Sequence, residues 1–310
     1  MAVSVIVPAR DAALTLPATL AALAAQRCDE PFEVIVVDNG STDGTGRIAA
    51  AAEGVRVVPG PGRGPGPARM AGVAAARHDV LAFTDADCAP EPGWLAAGAA
   101  AIRGGAVLAQ GWTGPPEGVA PGPWDRTLRV GAALGLFETA NLFVARGPFE
   151  AAGGFGDGLE APGHAPFGED VLLGWALRRQ GLATAFVPEA RVRHWVFPRD
   201  HRGYLAELER RALFAHLVRA VPELRDTLLW GRVFLHRRDA AVCAAAAGVL
   251  AGLVTGTRAP VLLGALPWAA QARADWTREG RETAALRAVA DAWAVAHTVR
   301  GSIQARTLVL

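Results

Sequence analysis

Thr84-Asp85-Ala86-Asp87-Cys88 follows the apolar run Val80 to Phe83. Residues two apart on an extended chain point the same way, so the carboxylates of Asp85 and Asp87 are expected to converge on one point. Outside the carboxyl end of a parallel strand, such a pair suits a hard divalent cation that also binds diphosphate oxygens. The cation would neutralise charge on a departing nucleoside diphosphate. The same three-residue pattern also describes a solvated acidic turn, since Asp-x-Asp is short.

Three further segments carry chemistry. The run Val34-Ile35-Val36-Val37-Asp38 passes into Asn39-Gly40-Ser41-Thr42-Asp43-Gly44-Thr45, placing Asp38 where open α/β sheets bind ligands. Its carboxylate can accept hydrogen bonds from a base or a ribose edge, whereas Ser41, Thr42 and Asp43 also read as turn and cap residues of the next helix. Glu169 and Asp170 open the helical pattern Val171 to Gln180, which ends at Gly181. There the helix dipole is expected to favour their ionised form, fit to take a proton from an attacking hydroxyl, and ordinary capping is the competing reading. His194 is a candidate third metal ligand, because imidazole beside two carboxylates suits Mn²⁺ better than Mg²⁺; a lone histidine is also commonly a packing residue.

The elements that must position these groups alternate. β-Branched runs Val3 to Val7, Val34 to Val37 and Val55 to Val58 are separated by helical patterns Leu14 to Gln26 and Thr45 to Glu53, which predicts parallel strands joined by crossover helices. The nearly continuous apolar character of the first two strands predicts burial on both faces. Pro59 to Pro67 is expected to be a loop, and it is no P-loop, because its prolines remove amide donors and no Lys-Ser/Thr follows. A helix (Ala68 to Ala76) and a strand (Val80 to Thr84) come next, and the Gly/Pro-rich stretch Gly111 to Pro123 is expected to be a surface loop or an acceptor-side flap. Beyond about residue 200 the pattern turns helical, over Tyr204 to Val221 and Thr227 to Arg238, followed by the apolar pieces Ala240 to Val254 and Pro260 to Ala270. Both pieces fall short of the ~20 residues that span a bilayer, which leaves membrane contact through 204–270 and internal packing as alternatives. Flanking Arg232, His236, Arg237, Arg238 and Arg258 would face anionic lipid in the first case.

Composition narrows the field. A chain of 310 residues fits one large α/β unit plus an appendage, and a net charge of +1 gives no global pull toward nucleic acid. There is no lysine, so Schiff-base chemistry and a P-loop lysine are both excluded. Cys28, Cys88 and Cys243 have no metal-ligand spacing and suit a reducing compartment. The N-terminus reads as a first strand rather than a signal peptide, so the catalytic part is expected to be cytoplasmic, with association to the cytoplasmic face of a membrane left open.

Taken together, Val3 to about Trp195 resembles family 2 glycosyltransferases, enzymes with the GT-A fold. The resemblance rests on Ser4-Val5-Ile6-Val7-Pro8-Ala9-Arg10-Asp11, on the Val-Val-Asp-Asn-Gly-Ser-Thr-Asp-Gly-Thr turn, and on the Thr-Asp-Ala-Asp segment. It implies an α/β fold, a GT-A Rossmann-like, mostly parallel sheet flanked by helices over residues 1–200, with a C-terminal helical region over 201–310. It implies a nucleotide-diphosphate sugar donor, UDP-sugar by family habit, and Mn²⁺ or Mg²⁺ as cofactor. Asp38 would contact the base, and Pro8 and Arg10 would line the nucleotide pocket. Asp85 and Ala86 would lie beside the nucleotide sugar, with Asp85 and Asp87 binding metal and diphosphate. Asp170 would be the catalytic base, with Glu169 beside it. Arg69 stands where the family shows Ala-Arg-Asn, although Met70 replaces the asparagine, and would assist with the phosphates. Glu138 to Arg146, running on to Gly153-Gly154-Phe155, resembles an acceptor-side region.

The resemblance further implies one in-line displacement with inversion, which needs a single base and no covalent nucleophile. Gln180 leads to Gly-Leu-Ala rather than to the Gln-x-x-Arg-Trp of processive members, so transfer of a single sugar is expected. The acceptor would be a hydroxyl of a lipid-linked, cell-envelope or natural-product molecule. A nucleotidyltransferase and a non-catalytic sugar-nucleotide-binding scaffold are the alternatives. The first would show a Gly- and Lys-containing loop after strand one, which Pro8-Ala9-Arg10-Asp11-Ala12 does not provide.

Overall fold

Val3, Val5, Ile6 and Val7 are all fully buried, as a central strand covered on both faces requires. The computed structural model describes residues 1–310. Two compact units emerge, one made of residues 1–120 and 127–197 and the other of 121–126 and 198–310.

In the first unit, β1 (Val3–Ala9), β2 (Phe32–Asp38), β3 (Val55–Pro59) and β4 (Val80–Thr84) alternate with α1 (Leu16–Ala24), α2 (Thr45–Ala51) and α3 (Pro65–Ala75). Then come β5 (Cys88–Pro90), α4 (Trp94–Arg103), β6 (Leu108–Gly114), β7 (Asn141–Ala145) and α5 (Arg146–Ala151). The unit ends with a small hairpin, β8 (Leu159–Ala161) and β9 (His164–Phe167), then α6 (Glu169–Arg179) and β10 (Thr184–His194). Eight strands form one sheet in the order β3-β2-β1-β4-β7-β6-β10-β5. Pairings β1/β2, β2/β3, β1/β4 and β6/β10 are parallel, while β7 runs antiparallel to both of its neighbours and β5 antiparallel to β10. The sheet is therefore mixed, as a GT-A architecture implies.

Two expectations are corrected in this unit. The Pro59 to Pro67 stretch is not all loop, because α3 begins at Pro65. Proline fits the first helical turn, whose amides have no partner within the helix. The stretch Gly111 to Pro123 begins inside β6, where Gln110, Gly111 and Thr113 are buried. Its Trp112 lies beneath the guanidinium groups of Arg191 and Arg193, at 4.2 and 5.0 Å from the ring centroid, so this part is sheet and not a flap.

The second unit is helical: α7 (His201–Leu208), a 3₁₀ turn (Glu209–Ala212), α8 (Leu213–Ala220), α9 (Leu224–Thr227), α10 (Arg237–Thr255), α11 (Ala259–Glu279) and α12 (Arg281–Ala305). The expected helix Thr227 to Arg238 does not form. Gly231 and Arg232 take φ of +59° and +66°, and a bridge joins Trp230 to Phe234, which together reverse the chain. The unit is held by buried ion pairs, Arg211 with Asp239 and Arg238 with both Asp275 and Asp291.

Candidate active site

Strand register brings the expected residues to one end of the sheet. Ala9 pairs with Asp38 in the β1/β2 ladder and Ile6 with Phe83 in the β1/β4 ladder, so Pro8, Asp38 and Asp85 leave the sheet together. The antiparallel β5/β10 pairing sets His194 opposite Cys88 and so beside Asp87, although more than a hundred residues separate them in sequence.

Asp38 is half-buried and its Oδ1 accepts from the Ser41 amide at 3.0 Å. A Cβ at Gly46 would come within 2.3 Å of Asp38 Oδ2, so glycine at the start of α2 keeps room for this carboxylate. Thr42 and Asp43 stitch the turn to the preceding loop: the Thr42 amide donates to Asp11 at 2.8 Å, and Asp43 accepts from the Ala13 amide at 2.9 Å. These residues serve the turn, whereas the N-cap of α2 is Gly44, which makes no side-chain cap bond. Asn39, buried, fixes the next loop by accepting from the Gly62 amide at 2.8 Å and donating to the Gly64 carbonyl at 3.1 Å. Arg10 is exposed and reaches the Gly62 carbonyl at 3.2 Å.

Asp85 and Asp87 do not converge. The chain turns at Ala86, with the Cys88 amide donating to the Asp85 carbonyl at 3.1 Å, and the extended-chain rule therefore does not apply. Asp85 instead accepts from Arg69 Nη2 at 2.8 Å, while Asp87 Oδ2 lies 3.7 Å from His194 Nε2. Ala86, expected beside the nucleotide sugar, has its methyl in the hydrophobic core and its carbonyl accepting from Thr19. Any ligand contact it makes is through the backbone.

The Asp87 group fits a divalent cation. His194 Nδ1 sits 2.7 Å from the Trp195 carbonyl, which only accepts, so Nδ1 carries a hydrogen and Nε2 is the nitrogen that faces Asp87. A carboxylate oxygen and an imidazole nitrogen side by side are ligand types that a divalent transition metal accepts. The Cys88 sulfur lies within 4.8 Å of both ligand atoms. Burial, reinforced by the charges of Asp85 and Asp87, pushes its thiol well above the ordinary range, which leaves it a weak ligand. Asp87 and Trp195 also line a cavity of about 560 Å³ bounded by Thr15, Thr19, Glu117 and Arg193, and Asp87 is the one expected site residue in its wall.

Arg69 joins this loop to α6. Its side chain is 7% exposed, and Nη1 lies 3.5 Å from Glu169 while Nη2 holds Asp85. The guanidinium therefore faces two carboxylates, while its Nε has no hydrogen-bond partner. Met70, in place of the family's asparagine, packs its Cε toward Gly154, where a Cβ would lie 3.0 Å away. The methionine fills an apolar contact that an amide would not.

Gly168, at φ +74°, caps α6 and turns Glu169 and Asp170 inward. The expectation that the helix start favours an ionised Asp170 is overturned. Burial, helped by the neighbouring charge of Glu169, outweighs Arg69 and the Val171 amide bond, and lifts the Asp170 carboxyl to about 7. A base at that value is poised for proton transfer near neutral pH.

Glu138 escaped the sequence reading as a site residue. Burial raises its carboxyl, Gln110 donates to it, and its charge helps to keep Asp170 high. The signal available was an acid just ahead of an apolar strand. In the same expected acceptor-side segment, β7 lies inside the sheet, and Asn141 donates to the Trp112 and Ala190 carbonyls and accepts from Trp94 Nε1, each at 2.8 Å.

Residues 4–148 match the family described as Glycosyl transferase family 2. The chain is 32% identical over 184 residues to Glycosyltransferase AglE of Haloferax volcanii, a match covering 54% of this chain and 59% of that relative, so it spans less than two thirds of it. Among solved structures it is similar to the mannosyltransferase PcManGT of Pyrobaculum calidifontis in complex with GDP-Man and Mn²⁺, with a TM-score of 0.56 and 18% identity, covering 98% of this chain and 86% of the other. It is also similar to glucosyl-3-phosphoglycerate synthase of Mycobacterium tuberculosis in complex with Mn²⁺, UDP-glucose and phosphoglyceric acid, with a TM-score of 0.50 and 23% identity, covering 72% and 79% of the two chains. At these identities the structural likeness establishes the GT-A fold. With that fold, residues 4–148 match the family 2 glycosyltransferase profile over a little under half of the chain, and the similarity to AglE agrees with that match.

Proposed function

We propose that the first unit transfers a single sugar, with inversion, from a nucleoside-diphosphate donor, UDP-sugar first, to an acceptor hydroxyl. The observation that supports this reading is the chain of contacts Asp85, Arg69, Glu169, which ties the loop bearing Asp87 to the start of α6, where the Asp170 carboxyl is raised to about 7. Donor-side charge and acceptor-side base then belong to one braced assembly.

Asp87 and His194 would hold Mn²⁺ or Mg²⁺, which when bound offsets the charge that develops on the diphosphate as the sugar bond breaks. Asp38, with Oδ2 not taken up by the Ser41 amide, accepts from the base, with Pro8 and Arg10 beside it. Arg69 keeps Asp85 and the start of α6 in register. Asp170 takes the proton from the acceptor hydroxyl as it attacks, and Glu169 and Glu138 keep its pKa high enough for that task. A diphosphate leaving group needs no proton, so one base is enough. The PcManGT and glucosyl-3-phosphoglycerate synthase complexes hold a sugar nucleotide with Mn²⁺, and the proposal extends that donor class to this chain.

Proton NMR tests it with water as acceptor. Mixing the full chain and Mn²⁺ with UDP-glucose, UDP-galactose or UDP-N-acetylglucosamine should release one of these sugars first as the anomer opposite to the donor. Release of the retained anomer, or release undiminished in Asp170→Asn, would overturn the assignment.

A further inference from the structure

α10 and α11 pack against each other through small residues. A Cβ at Gly264 would lie 3.0 Å from the Gly248 Cα, and one at Gly248 would lie 2.5 Å from the Pro260 carbonyl. With glycines in the seam, the large apolar side chains point outward: Val249, Leu250, Leu253, Val254, Leu262 and Leu263 are 46–87% exposed. A water-soluble hairpin places such residues in its seam, whereas small residues inside and leucine outside is the arrangement of helices packed in lipid. α10 is also the one helix long and apolar enough to cross a bilayer, with a mean hydropathy of 1.4 and 22% of that window buried.

The charges select the occupant. Residues 240–274 contain no Asp or Glu, and their two charged side chains, Arg258 at the hairpin tip and Arg273, are both exposed arginines. The bordering acids Asp239 and Asp275 are buried in ion pairs with Arg211 and Arg238. Exposed Arg237 and Arg278, with Trp276 at 58% exposure, lie at the far end of the hairpin. Apolar side chains followed by tryptophan and arginine is the order met from the acyl region outward to anionic headgroups.

We infer that the α10/α11 hairpin docks on an anionic lipid bilayer, with its outward Val and Leu side chains entering the acyl boundary and Arg258 extending its stem to the headgroup phosphates. This narrows the sequence-level range 204–270, because the apolar residues ahead of α10 (Leu213, Leu217, Val218, Val221 and Leu224) are buried within the second unit.

Flotation of the full chain with vesicles of phosphatidylglycerol and phosphatidylcholine, or of phosphatidylcholine alone, tests the inference. The native chain should float with the anionic vesicles, and 0.5 M NaCl should weaken its binding. Leu253→Glu/Leu263→Glu should cut that binding at least tenfold, and Arg258→Ala should reduce its salt-sensitive part. Both variants alter exposed positions, so an unchanged Tm is expected and shows that folding is not the cause. Absence of native flotation would overturn the inference, as would equal flotation of the double variant. So would an association between protein copies, seen by sedimentation equilibrium, that the double variant abolishes while no preparation binds vesicles.

Discussion

Arg69 Nη2 donates to Asp85 Oδ1 at 2.8 Å from a side chain that is 7% exposed. The same group faces Glu169, so one buried cation braces the loop after β4 and the start of α6, which are far apart in sequence. Removing it strands carboxylates in a poorly solvated place, at about 3 kcal/mol. Arg69→Met should therefore lower the unfolding free energy by about that amount in urea titration. Because Arg69 also draws the Asp170 carboxyl downward, the pH at which the rate rises should move up. Arg69→Lys keeps the charge but loses the fork, and should restore the pH position more fully than the stability.

Asp170 should show itself in two opposite pH dependences. As the base it works ionised, so kcat should rise as pH increases through about 7, and Asp170→Asn should lose roughly 10²–10⁴-fold. In stability the sign reverses. The folded carboxyl stays protonated up to about 7, while the unfolded one ionises near its ordinary value, about 3.9. Its contribution is therefore full below about pH 4 and lost as pH rises to about 7. Asp170→Asn should flatten that decline and raise Tm above pH 7; an unaltered stability profile would place the titration elsewhere.

Asn141 offers a contrast. Replacing it by alanine leaves Trp94 Nε1 and the Trp112 and Ala190 carbonyls without their partner inside the sheet. The expected loss is about 3 kcal/mol of stability, measured by chemical denaturation. The KM for donor should hold at temperatures where the variant is folded. A selective rise in acceptor KM would restore the acceptor role that the resemblance suggested for this segment.

Much of the frame was legible because burial on both faces leaves a plain mark: Val3 to Val7, Val34 to Val37 and Val80 to Thr84 are apolar runs with sharp ends. Asp38 and Asp170 could be read as site candidates from their positions at a strand end and a helix start. What sequence spacing could not supply was long-range pairing. The Arg69 to Glu169 contact and the Asp87 to His194 approach depend on how α3, α6 and β10 return to the sheet. The turn at Ala86 defeated the period-two rule, and burial at Asp170 defeated the dipole rule, because tertiary packing decides both. The helix expected over 227–238 failed at Gly231-Arg232, where two successive positive φ angles reverse the chain.

The central claim is a metal-assisted nucleotide-sugar site at Asp87 and His194, and calorimetric titration of UDP, GDP and dTDP into the full chain, with and without Mn²⁺, tests it most directly. The expected result is tight binding of UDP that requires Mn²⁺ and falls at least tenfold, about 1.4 kcal/mol, in both Asp87→Ala and His194→Ala. Binding of no nucleotide, or UDP binding indifferent to Mn²⁺ and to both substitutions, would contradict it.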